Sequence, residues 1–179
     1  MRAAIATIAR LLLVALAPAG ICASALGAPP VDERTLRAVM VYNLMAFTDW
    51  PGARKPPEAP NLRLCVLTRD EELMRAFAGL SSRPIAGRVL LIEQPSPEGS
   101  LDHCNTVYID HNETPQAAWF AGLHAAATLT ITARPVGGEI ISLELVGKRL
   151  VFDVSLPSLR ESRLHLSARV LELARKVWR

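Results

Sequence analysis

The sequence predicts an α/β fold: a single-domain mixed sheet with a parallel βα core, helices on both faces, and a C-terminal antiparallel hairpin plus helix. Three observations predict it. Short apolar runs of strand length alternate with segments whose apolar residues recur at helical spacing, which implies parallel strands joined by right-handed crossovers. Two segments of period two, Glu139–Leu145 and Lys148–Ser155, meet at Gly147; that is a hairpin with one face buried. A last amphipathic stretch follows Ser167 and runs toward the C-terminus.

Each element has its own signal. Asp32 can cap a first helix with Glu33 in its opening turn. Leu36, Val39, Met40, Leu44 and Phe47 form one apolar face of that helix, and Trp50-Pro51 ends it, because a residue before proline is pushed out of the helical region. Gly52 to Pro60 is a Pro-rich connector, too short to separate two domains. Leu62–Thr68 is the first core strand. Asp70 then caps a helix that turns Leu73, Phe77 and Leu80 inward, with Gly79 near its end. Arg88–Glu93 is the second strand and Thr106–Asp110 the third. Thr114-Pro115 places a cap ahead of a first-turn proline, with Trp119, Phe120 and Leu123 on the buried side of that helix. Leu129–Thr132 is the fourth strand. After the hairpin, Ser167 caps a helix with Val170, Leu171, Ala174 and Val177 facing the core, and Arg175, Lys176 and Arg179 at its negative end.

The N-terminus reads as an address. Arg2 and Arg10 precede the apolar run Leu11–Ala17, Pro18 and Gly20 break it, and Ala23-Ser24-Ala25 offers small residues for cleavage. This is the order of a secretory signal peptide. The run falls short of the roughly 20 residues a membrane helix needs, so no direct membrane insertion is expected. Cys22 follows Ile21, where lipoprotein processing wants a small residue. Cleavage after Ala25 leaves residues 26–179 as one domain, with Gly27 an almost equal choice. Arg2 and Arg10 go with the leader, leaving 18 basic against 17 acidic residues. So balanced a chain carries no electrostatic footprint for nucleic acid.

Chemistry is hard to find. The sequence has no P-loop, no G-x-G-x-x-G, no G-x-S-x-G and no paired cysteine motif. His103-Cys104 with Asp110 and His111 is the nearest approach to a metal cluster. On a strand, however, His103 and Cys104 would point to opposite faces. Cys65 lies mid-strand between Leu64 and Val66, away from the exposed, electropositive setting a nucleophilic thiolate needs. The expectation is a protein without catalytic residues, metal or cofactor. Cys65 and Cys104 are the two cysteines left after leader cleavage. In an oxidising compartment an even pair reads as a disulfide, and first and third strands of doubly wound sheets are commonly neighbours. Two buried small hydrophobes that never meet are the alternative. A bond, if formed, is either a plain staple or a redox-sensitive one.

The tail carries the most specific pattern: Gly137-Gly138 followed by Ile140, then Lys148–Val154, Leu164–Ala168 and Leu171–Arg175. Upstream stand a Tyr42-Asn43 pair in a segment ending Trp50-Pro51, the strand Leu64–Leu67, Arg83-Pro84-Ile85, and a cysteine opening the third strand at Cys104. In these residues, and in their order over nearly the whole mature chain, the sequence resembles the YfiR family of periplasmic proteins. The resemblance implies a homodimeric periplasmic regulator. Such a protein binds the periplasmic sensor domain of an inner-membrane diguanylate cyclase and restrains it, lowering cyclic di-GMP and biofilm formation. It also implicates redox state, with Cys65 and Cys104 at the family's first- and third-strand cysteines. The family's second cysteine pair, near the Gly-Gly hairpin, has no counterpart here, so redox chemistry falls on one pair. The approach Ala133–Val136 is also short and lacks an aromatic residue.

The bend Leu156–Leu166 is the expected partner surface. It sets Leu156, Leu159 and Leu164 among Arg160, Glu161 and Arg163, and apolar residues rimmed by arginine suit an interface. The bland reading is that these leucines close the core beneath a solvated loop. From another class, a small-ligand-binding protein feeding a membrane receptor would hold its molecule at the strand ends.

Overall fold

The computed structural model describes residues 32–50, 61–96, 99–115 and 117–179, which all fall in one compact unit, Val31–Arg179. The signal peptide expected at residues 1–25 and the connector from Gly52 to Pro60 lie outside the described residues.

A mixed, mostly parallel sheet of eight strands forms the framework. Its parallel core is β2 (Asn61–Leu67), β4 (Arg88–Glu93), β5 (Thr106–Ile109) and β6 (Leu129–Thr132), ordered β4-β2-β5-β6. The first and third core strands are neighbours, as expected, with Cys65 beside Val107. The second, third and fourth core strands agree with the sequence reading to within a residue. β6 continues in parallel to β7 (Ile141–Val146), which turns through Gly147, at φ +62°, into antiparallel β8 (Arg149–Ser155). Glycine at the first of two loop positions suits such a turn. β3 (Pro84–Ile85) adds a short antiparallel edge on β4, across Ala86-Gly87 with both φ values positive. A separate two-stranded clasp joins β1 (Thr48–Asp49) to β9 (His165–Leu166).

Helices cover both faces because the core strands are apolar on both. On one face Tyr108 stacks on Phe77 of α2 (Glu71–Ala78), ring centroids 5.0 Å apart, within a cluster that includes Leu64, Leu90 and α1 (Glu33–Ala46). On the other face Cys65, Cys104, Val107 and Ile109 pack with Phe120 and Leu123 of α3 (Ala117–Ala125). Asp70 caps α2 as expected, accepting bonds from the amides of Glu72 and Leu73. Gly138 is required where it stands. Its φ is +100°, and a Cβ there would lie 2.9 Å from the Phe120 ring.

In the first and third helices the structure departs from the sequence expectation. α1 stops at Ala46, before Trp50, because the chain leaves the helix to pair as β1, while Trp50 is buried and donates its indole N–H to the Asn105 carbonyl at 3.2 Å. Its buried stripe is Arg37, Ala38, Val41, Leu44 and Met45; Val39 and Phe47 are exposed. Arg37 is tolerated inside because Glu33 pairs with it at 2.7 Å. Asp32 occupies the cap position but makes no side-chain cap bond. In α3 the helix runs from Ala117 rather than Pro115, and Trp119 is exposed while Phe120 and Leu123 are buried.

The tail differs most. α5 (Ala168–Leu173), capped by Ser167, lasts six residues, and Lys176–Trp178 then forms β10, a parallel edge strand on β8. Arg175 therefore faces no helix end. It clamps Asp153 with two bonds of 2.8 and 2.6 Å and reaches Glu144. The bend before it is α4 (Leu156–Ser162), started by the Ser155 hydroxyl accepting from the Ser158 amide, with Pro157 in the first turn.

Candidate functional site

Cys65 and Cys104 are joined by a disulfide, Cα atoms 5.9 Å apart. Cys65 sits in mid-β2, in register with Glu93 on β4 and Val107 on β5. Cys104 lies in the turn before β5, and the backbone around it is fixed on three sides. Its amide donates to the Leu101 carbonyl, the Asn105 amide to the Arg63 carbonyl, and the Thr128 hydroxyl to the Cys104 carbonyl. Both cysteines are buried. Closing a loop with a sequence separation of 39 is worth about 4 kcal/mol on the chain-entropy account.

His103 forms a lid over this bond. Its Nε2 lies 3.9 Å from the Cys65 sulfur, 3.8 Å from the Cys104 sulfur and 3.0 Å from Glu93 Oε2. Glu93 Oε1 is held by Arg63 at 2.5 Å. The opposite-face expectation for His103 and Cys104 fails because the pair lies in a turn, where the two side chains are not bound to alternate. Glu93 and Arg63 were missed altogether. The signal for them was the neighbouring of the first two core strands, whose same-face residues Arg63, Cys65 and Glu93 follow from the period of two.

The expected docking bend resolves into two populations. Leu159 and Leu164 are buried in the core and Leu156 is half-buried, while Arg160 and Arg163 are exposed. The helix signal that turns Leu159 inward is a serine cap followed by proline. α4 also touches α3, where buried His124 meets Glu161 at 3.3 Å.

Among the described residues, two clefts open at the sheet. One, of about 420 Å³, lies past the C-terminal ends of β2 and β5 and is lined by Thr68, Arg69, Gln94, Glu113, Thr114 and Trp119 among others. Open α/β sheets bind ligands at such reversal points of strand order. Beneath it buried Asp110 accepts from the Thr68 hydroxyl at 2.8 Å and the His111 amide at 2.8 Å, while Arg69 pairs with Glu113 at 3.2 Å. The other, of about 290 Å³, lies between Gly137-Gly138 and Trp178, with Glu139, Ser142 and Asp153 in its wall.

The family model described as YfiR/HmsC-like matches residues 34–175, from the first helix through Arg175. The chain belongs to the YfiR/HmsC-like family. No curated protein matches the sequence. Among solved structures, a conserved domain protein from Vibrio cholerae O1 biovar El Tor is similar at 11% identity and a TM-score of 0.44, over 80% of this chain and 60% of that one. The chain thus spans about 60% of the length of that solved structure. In this family member no helix among the described residues is long and apolar enough to cross a membrane.

Proposed function

We propose that this protein is a non-enzymatic periplasmic regulator that binds and represses the periplasmic sensor domain of an inner-membrane diguanylate cyclase, and so controls cyclic di-GMP and biofilm formation. The observation that carries the reading is membership of the YfiR/HmsC-like family over residues 34–175. The secretory leader in the sequence supports the compartment, and the lack of a catalytic motif in the sequence supports a binding role. The protein acts as a homodimer in this reading, and its disulfide is the redox-responsive element.

Within the docking surface, Arg160 and Arg163 with half-buried Leu156 present the contacts, and Leu159 and Leu164 support them from the core. Pull-down from membranes of the native host, with and without reductant, tests the whole reading. Recovery of a membrane protein with a cytoplasmic cyclase domain is the expected result. Capture that contains no such protein in either condition overturns it. Arg160→Glu with Arg163→Glu should weaken recovery without lowering the melting temperature, since both side chains are exposed; undiminished recovery removes α4 from the surface.

The cleft past β2 and β5 favours a second reading, a small-ligand-binding protein feeding a membrane receptor. Its polar wall of Thr68, Arg69, Gln94 and Glu113 beside an exposed Trp119 has the mixed character of a ligand site. A thermal-shift screen of metabolites decides it, because a ligand at a hundredfold excess over its Kd stabilises by about 2.7 kcal/mol. A hit abolished by Arg69→Ala supports the second reading.

A further inference from the structure

We propose that the corner beneath His103 is a second-state metal site: with the Cys65–Cys104 bond reduced, the two thiolates and His103 Nε2 bind a thiophilic divalent cation such as zinc. The ligand atoms of Cys65, His103 and Cys104 all lie within 4.8 Å of one another. A tetrahedral zinc with bonds of about 2.0–2.3 Å holds neighbouring ligand atoms about 3.3–3.8 Å apart. The imidazole nitrogen already stands 3.9 and 3.8 Å from the two sulfurs, and 3.0 Å from Glu93 Oε2. Opening the bond lets the sulfurs separate to that spacing while the backbone, with Cα atoms 5.9 Å apart, keeps its place.

The donor set selects the ion. Two thiolates and one imidazole suit zinc and its late-transition-metal neighbours, and disfavour magnesium and calcium, which want oxygen. Glu93, held through Oε1 by Arg63, lies outside this group of three, so water takes the fourth position. Charge closes as well: the thiolates cancel the cation, and Arg63 cancels Glu93. Both cysteines are buried, and the half-exposed His103 stands against both sulfurs on the solvent side.

The steps balance. A dithiol reductant passes two electrons to the Cys65–Cys104 bond, becomes a disulfide itself, and leaves each cysteine as a thiol. The cation then displaces one proton from each thiol into solvent. Disulfide and metal are mutually exclusive occupants, so bound metal would hold the corner closed in the reduced state as the covalent bond does in the oxidised one.

The test uses purified protein reduced with dithiothreitol, desalted without oxygen and titrated with cobalt(II). Reduced wild type should bind one equivalent, giving the visible bands of tetrahedral cobalt and a near-ultraviolet thiolate charge-transfer band, both removed by zinc. Oxidised protein should give neither. His103→Ala should weaken binding on the order of tenfold or more, and its exposed position lets the variant fold even if Cys104→Ser does not. A reduced, folded wild type without the charge-transfer band overturns the proposal. So does a His103→Ala variant that binds cobalt as tightly as wild type.

Discussion

Asp70 does two jobs with one carboxylate. It caps α2 and accepts from Arg34 Nε at 2.8 Å. That Arg34 bond, with the amide bonds from Leu73 and Glu72, holds its pKa below the ordinary value. Because the folded value is the lower one, the stabilisation is complete above the unfolded value of about 3.9 and is lost as pH falls through the folded value. Asp70→Asn, which keeps an acceptable cap, should unfold at lower urea at neutral pH, and the gap to wild type should close in acid. A gap unchanged down to about pH 2 would mean that charge is not the source. Tyr108 is the opposite case. Burial pushes its hydroxyl pKa up, opposed by the neighbouring Arg37, and the hydroxyl makes no hydrogen bond of full geometry among the described residues, Arg37 being the polar group close to it. Tyr108→Phe should therefore be neutral or stabilising within about 1 kcal/mol, whereas Phe77→Ala beside it should cost about 3–5 kcal/mol. Chemical denaturation of the two variants measures both, and a large loss in Tyr108→Phe would show a bond to that hydroxyl.

At the scale of elements, legibility followed burial pattern. β4, β5 and β6 were readable because each is a short apolar run between turn signals, and α2 because Asp70 and the Leu73–Phe77 spacing agree. α1 was misphased because its inward stripe contains Arg37, a residue that any hydropathy reading places outside. The tail failed for a different reason. A pattern of Val170, Leu171, Ala174 and Val177 fits a helix, yet Arg175 finds Asp153 on β8, and a bidentate ion pair with a buried carboxylate fixes the chain as strand. That pairing is tertiary and invisible to local spacing. Arg175→Ala should lower the unfolding midpoint by stranding Asp153, and Arg175→Lys should recover only part of it, since an ammonium cannot bridge both oxygens. Full recovery by lysine would reduce the clamp to simple charge. The candidate site was legible as two cysteines and no further, because the turn that aims His103 at them is set by the surrounding backbone bonds.

For the whole molecule, the disulfide ties the middle of β2 to the turn that enters β5, on the face that α3 covers. Cys65→Ala with Cys104→Ala should cost about 4 kcal/mol, read as a lower urea midpoint against oxidised wild type. Reductant should bring wild type down to the same midpoint and leave the variant unmoved. The protein should stay folded in both cases, because the other face of the sheet has its own core of Leu64, Phe77, Tyr108 and their neighbours. If either form unfolds outright, the bond is a condition of folding and cannot be a reversible signal.

The small clasp of β1 and β9 has a consequence for how the chain comes to be. Thr48 pairs with Leu166, and the Ser167 amide donates to the Phe47 carbonyl. The β1 backbone thus has no strand partner until residues 165–167 have been made, although Trp50 just after it can already meet Asn105. Contacts of such long sequence separation close late. During synthesis α1 must wait, docked on nearer neighbours, and the strap across its end closes only after those contacts are in place.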